Sequence, residues 1–252
     1  MAVIYGTIQS ERLMRKVPFA AILPSEVKKD ETVEPFKTLY LLHGWNDASD
    51  AWINNTRIVE LATKHNIAVI MPSGENSFYV DLRNGSYYGQ YIGEELVQIT
   101  RKMFNLSQDF ESTWIAGLSM GGYGALRNGL YYNETFSKIA ALSSRVLQSQ
   151  EKEHDLSEDN RMNQAIKYII GSDTYKDMDK DKDIYSLVKK ESIPELFIAC
   201  GTEDFIYKDS LSLHNYLSEQ KIDHIYKESS GEHSWDFWDH YIEQVIEWMI
   251  EI

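Results

Sequence analysis

The 252-residue chain has one cysteine, Cys200, five prolines and no apolar stretch approaching the roughly 18 residues needed to span a bilayer. A single cysteine excludes an intramolecular disulfide, and its place at the end of the apolar run 196–199 predicts a buried strand residue. Basic residues are scarce. Twenty-five Lys and Arg stand against 39 Asp and Glu, and the net charge of -14 repels nucleic acid and anionic membranes, so neither is expected as a partner. The first nine residues alternate apolar and polar and lack a basic start followed by an apolar block. No secretory signal is therefore expected, and a cytoplasmic location follows unless a signal has been removed. Acidic clusters at 151–159 and 173–183 read as solvated faces. Asp177, Asp179, Asp181 and Asp183 alternate with Met178, Lys180 and Lys182 without a loop glycine, which argues against a calcium loop. No metal or cofactor is expected, and self-association is left open.

What is present is a rhythm. Residues 3–10 and 13–23 predict an antiparallel hairpin around the polar turn Glu11-Arg12. Short, mainly apolar runs at 38–42, 67–71, 112–116, 138–142 and 195–200 then predict buried strands, with a last strand at 223–227. Helical spacing recurs between them at 52–64, 91–104 (Ile92, Leu96, Ile99 and Met103 on one stripe), 122–132, 210–219 and 235–250. Such alternation predicts an α/β fold: a mostly parallel sheet with helices on both faces, formed by a single domain over residues 1–252. The rhythm breaks at 143–192, a charged, weakly periodic insert with one helix expected at 161–170. It is read as a small cap over the open sheet edge, walled by Tyr168, Ile169, Tyr175 and Leu187, with a plain surface excursion as the alternative.

Gly117-Leu118-Ser119-Met120-Gly121 sits between an expected strand and an expected helix, the context of a nucleophile elbow. Glycines flank the serine because a strand reversing into a helix within a few residues crowds its own backbone. A serine hydroxyl is a poor nucleophile at neutral pH and needs a base, which needs an orienting acid. Asp204 lies just past one expected strand end and His233 in the loop before the last helix, so both are expected at the edge where Ser119 emerges. Glu203 and Asp209 compete as the acid. His214, His224 and His240 compete as the base but fall on expected helix or strand positions. The backbone N-H groups of Trp45 and Met120 are the expected oxyanion donors, with His43 as support beneath the loop.

Leu41-Leu42-His43-Gly44, the run from Gly117 to Ala125, Gly201-Thr202-Glu203-Asp204 and the run from Gly231 to Trp238 together resemble the esterase D-like esterases. That group includes tributyrin esterases, feruloyl (cinnamoyl) esterases and S-formylglutathione hydrolases, with mycolyltransferases as relatives. The resemblance spans 38–248 and implies an α/β-hydrolase fold, a Ser119-Asp204-His233 triad and hydrolysis of carboxylic esters. Trp235 and Trp238 after the histidine resemble the tributyrin and feruloyl members, whereas the insert matches no motif. The expected function is a serine carboxylic-ester hydrolase acting on small acyl or feruloyl-type esters through an acyl-enzyme. A thioesterase for glutathione adducts and a non-catalytic binding module on the same fold are the alternatives.

Overall fold

The computed structural model describes residues 1–25, 34–150, 156–189 and 192–251. The strands are β1 (Ala2–Ser10), β2 (Arg15–Leu23), β3 (Thr38–Leu42), β4 (Ala68–Pro72), β5 (Thr113–Leu118), β6 (Lys138–Leu142), β7 (Glu195–Gly201) and β8 (Ile225–Ser229). The helices are α1 (Ala51–Asn55), α2 (Ile58–His65), α3 (Tyr88–Gln90), α4 (Leu96–Met103), α5 (Met120–Tyr131), α6 (Arg161–Ile170), α7 (Ile184–Leu187), α8 (Tyr207–Glu219) and α9 (Trp235–Ile250). The strands form one sheet in the order β1-β2-β4-β3-β5-β6-β7-β8, with β1 and β2 antiparallel and β4 onward parallel. The expected hairpin and mostly parallel α/β sheet are both present. Of the expected acidic cluster 151–159, residues 151–155 lie outside the described residues, as do 26–33 in the first long loop.

Strand side chains alternate between the two faces, and each face has its own core. Leu39, Leu41, Trp114, Ala116, Ala140, Phe197 and Ala199 pack with residues of α1, α2 and α9. Tyr40, Leu42, Ile115, Ile139, Ala141 and Ile198 pack with α4, α5 and α8 and with much of 146–188. Burial on both sides is why these strands read as continuous apolar runs.

Two helices depart from expectation. The helix expected over 52–64 is divided, because the Thr56 hydroxyl takes the Ile58 N-H (3.3 Å) while Asp239 of α9 accepts the Arg57 N-H (2.7 Å). The helix expected over 91–104 contains a π turn at Tyr91–Glu95, which shifts the buried stripe to Tyr88, Tyr91, Ile92, Leu96, Val97 and Thr100 and leaves Met103 exposed. No helix among the described residues is long and apolar enough to cross a membrane.

Candidate active site

Because β3 and β5 to β8 run parallel and in register (Leu42 beside Gly117, Leu118 beside Leu142, Gly201 beside Ser229), their C-terminal ends open on one edge. Ligands bind at that edge in open α/β sheets. Ser119 follows β5 directly and caps the N-terminus of α5 with φ 52° and ψ -117°, a conformation L-residues rarely adopt. Both neighbouring glycines are required. A Cβ on Gly121 would stand 2.5 Å from the Leu42 carbonyl oxygen, and one on Gly117 would collide with the backbone of Gly121. The Ser119 N-H is held by the Leu142 carbonyl at 2.9 Å, and its carbonyl accepts from Tyr123 at 3.1 Å.

His233 Nδ1 lies 2.8 Å and 3.0 Å from the two carboxylate oxygens of Asp204. Ionised Asp204 only accepts, so Nδ1 carries the proton of that hydrogen bond. The Asp204 side chain is 0% exposed, which raises its pKa, but hydrogen bonds from His233 and the Ile206 N-H (3.0 Å) outweigh burial and hold it below the ordinary carboxylate range. The loops bearing these two residues touch through glycine: a Cβ on Gly201 would strike the Gly231 carbonyl, and Glu203 N-H donates to that carbonyl at 3.1 Å.

Glu203 has a different place. Its exposed carboxylate accepts the Gly231 N-H (2.5 Å), the Thr202 hydroxyl (2.8 Å) and the Ser230 hydroxyl (3.2 Å), which depress its pKa. It braces the histidine loop and does not reach the ring. Asp209 lies in α8, bonded to Arg145 and to the Val146 N-H. His214 and His224 bond each other at 2.8 Å, and His240 meets Gln244 at 3.0 Å. None of the three histidines lines the cavity described below.

The second wall of the site is the loop after β3. Its Gly44 approaches Ser119 so closely that an added Cβ would stand 3.7 Å from Ser119 Cβ and 2.7 Å from Leu118 Cδ1. His43 pins this loop, accepting the Gly74 N-H at Nε2 (2.9 Å) and donating from Nδ1 to the Gly44 carbonyl (2.7 Å). Burial lowers its pKa, so it is the neutral Nδ1-H tautomer. Trp45 follows, its ring edge-on to Phe78 at 5.6 Å. Met120 is the first residue of α5, where a backbone N-H has no carbonyl one turn earlier to reach.

Ser119, His233, Gly44, Trp45 and Met120 line one cavity of about 410 Å³, together with Asp47, Phe78, Leu118, Arg145, Met162, Phe205, Ser234, Trp235 and Trp238. One side is formed by edge-on rings, Trp235 to Trp238 at 5.1 Å and Trp238 to His233 at 4.9 Å, with buried Trp52 behind Trp235 at 5.5 Å. The four residues expected to wall the cap do not line it. Ile169, Tyr175 and Leu187 are buried in the core and Tyr168 is exposed, whereas Met162 and Arg145 are the described residues of 143–192 that reach the cavity. Sequence reasoning also passed over Phe205, though an aromatic directly after a candidate catalytic carboxylate is itself a signal. Cys200 is a buried β7 residue, its thiol pushed up to about 12 by burial.

A serine on a strained turn, a carboxylate-bound imidazole and a helix N-terminus around one cavity are the arrangement that serine-class hydrolysis requires. The family described as Putative esterase matches residues 10–249, and the chain belongs to it. An acetyl esterase of Caldicellulosiruptor saccharolyticus is 41% identical over 100% of this chain and 99% of its own. Among solved structures, the fluorophosphonate-binding serine hydrolase F of Staphylococcus aureus has a TM-score of 0.88 and 31% identity, covering 100% of this chain and 99% of that one. An S-formylglutathione hydrolase of Staphylococcus aureus has a TM-score of 0.85 and 32% identity, with 99% of each chain covered. The protein is a serine ester hydrolase with the α/β-hydrolase fold.

Proposed function

We propose that the protein hydrolyses small, uncharged carboxylic esters with short acyl groups through an acyl-enzyme on Ser119. The observation that carries this reading is the placement of Ser119 and the Asp204-bound His233 on one cavity of about 410 Å³ with mainly aromatic and apolar walls. His233 Nε2 takes the Ser119 proton as Oγ attacks the acyl carbon, and Asp204 holds the imidazolium that forms. The Trp45 and Met120 amides receive the oxyanion. The alcohol leaves with the proton from His233, and a water activated by the same imidazole frees the acid. The likeness to an acetyl esterase supports the short acyl group.

The likeness to an S-formylglutathione hydrolase favours a second reading, a glutathione thioesterase. Glutathione carries two carboxylates, whereas the only Lys or Arg among the described lining residues is Arg145, already paired with Asp209, and Asp47 adds negative charge. Simple esters are therefore favoured. Residues 143–192 act as a cap in this reading, through Met162, and a lone buried cysteine suits a reducing cytoplasm.

The test is kcat/KM across p-nitrophenyl acetate, butyrate and octanoate with methyl ferulate and S-formylglutathione. Acetate should lead the p-nitrophenyl series. A higher value for methyl ferulate or S-formylglutathione would move the assignment to that substrate.

A further inference from the structure

Two of the residues lining the catalytic cavity are conspicuously out of place for apolar side chains. Phe205 is 78% exposed and Met162 is 51% exposed, whereas Phe78, Leu118, Met120 and Trp238 around the same cavity are nearly inaccessible. Exposing a phenyl ring forgoes the burial that normally stabilises one, and two such side chains on the rim of one cavity form an apolar edge of the kind that marks ligand-binding grooves. Phe205 comes from the loop carrying Asp204 and Met162 from α6, two unconnected segments meeting at one mouth. The Phe205 ring lies against the His233 imidazole, with centroids 4.6 Å apart and planes tilted by 50°.

We propose that Phe205, with Met162, forms the leaving-group subsite and selects esters whose alcohol carries an aryl ring or an alkyl chain longer than methyl. The proposal rests on the Ser119-His233-Asp204 reading given above. In the tetrahedral adduct the former carbonyl oxygen faces the Trp45 and Met120 amides, and the ester oxygen must lie within hydrogen-bond reach of His233 Nε2. When the adduct collapses, the bond from the acyl carbon to that oxygen breaks, His233 gives its proton to the departing oxygen, and the acyl group stays on Ser119. Whatever is attached to the departing oxygen therefore lies beside the imidazole, where Phe205 sits. The buried walls of Phe78, Leu118, Met120 and Trp238 are left for the acyl group, which accounts for one closed and one open side of the same cavity.

The alternative role for Phe205 is to hold the His233 ring, and this would affect every substrate equally. The distinguishing experiment measures kcat/KM of wild type, Phe205→Ala and Phe205→Leu on two series. In one the acyl group is always acetyl and the alcohol is methanol, butanol or phenol. In the other the alcohol is always methanol and the acyl group is acetyl, propionyl or butyryl. The variant-to-wild-type ratio should fall about three- to ten-fold further for butyl and phenyl acetate than for methyl acetate, the range expected for an aromatic contact. It should be constant along the acyl series, and Phe205→Leu should fall between. Met162→Ala should show the same selectivity more weakly. An equal loss on all acetates would overturn the proposal in favour of a positioning role for Phe205. A loss that grows along the acyl series would place the ring in the acyl subsite. Inactivity of Ser119→Ala tests the underlying reading separately, since retained activity there would remove the nucleophile while leaving the alcohol selectivity to be explained otherwise.

Discussion

Glu203 and Asp204 are adjacent carboxylates with opposite surroundings, and that contrast predicts different effects of substituting them. Asp204 is enclosed and bonded to His233 through both oxygens, while Glu203 is exposed and holds the backbone of the Gly231 loop. Asp204→Asn should cost about ten-thousand-fold in kcat, because an amide in that place favours the wrong imidazole tautomer. Glu203→Gln should cost less than about ten-fold, since a neutral amide oxygen still accepts from the Gly231 N-H. Steady-state kinetics on p-nitrophenyl acetate rank the two, and the reverse order would make Glu203 the acid. The placement of Ser119, Asp204 and His233 past strand ends on one edge was legible, because that information is local. The bracing by Glu203 was not, for it depends on a contact with a residue 28 positions later.

At the scale of elements, the loop after β3 depends on a neutral histidine. His43 accepts a hydrogen bond at Nε2, which protonation would abolish. Its folded-state pKa lies below the unfolded value of about 6.5, so the unfolded chain takes up more protons in acid. The His43 contribution to stability is complete above about pH 6.5 and is lost progressively as the pH falls toward the folded-state pKa. Urea midpoints at about pH 8 and about pH 5.5 should therefore differ less in His43→Gln than in the wild type, and an identical difference would rule out this coupling. The insert is a second case. Arg127 of α5, 1% exposed, bonds the carbonyl and carboxylate of Asp181, and the Tyr123 hydroxyl bonds the Lys182 carbonyl at 2.6 Å. Arg127→Ala should lower stability by about 2–4 kcal/mol, somewhat under a fully buried pair because Asp181 is partly exposed, with urea unfolding as the measure. A loss below about 0.5 kcal/mol would mean the insert is not anchored there. Charge and weak periodicity left 143–192 readable either as a small cap or as a surface excursion. Its apolar residues follow no single period, yet Val146, Leu147, Ile166, Ile169, Ile170, Ile184 and Leu187 all enter the core. The divided helix was hidden for a different reason, since one of its causes, Asp239, lies 182 residues from Arg57.

For the whole molecule, continuous apolar strands alternating with amphipathic helices made the parallel, doubly covered sheet legible before its strand order was known. The order itself, with β4 inserted between the hairpin and β3, is set by pairings between distant segments that no local pattern carries. Every strand end used by the site belongs to the parallel part of the sheet, which is how residues at 44, 119, 204 and 233 come to line or support one cavity. That convergence is meaningful only if Ser119 becomes covalently acylated. Rapid quenching of a reaction with p-nitrophenyl acetate, followed by proteolysis and mass spectrometry, tests this directly. One acetyl group should appear on the peptide carrying Ser119, and both the adduct and the nitrophenolate burst should vanish in a Ser119→Ala protein with an unchanged unfolding midpoint. An acetyl group on another residue, or a burst that survives in Ser119→Ala, would contradict the account.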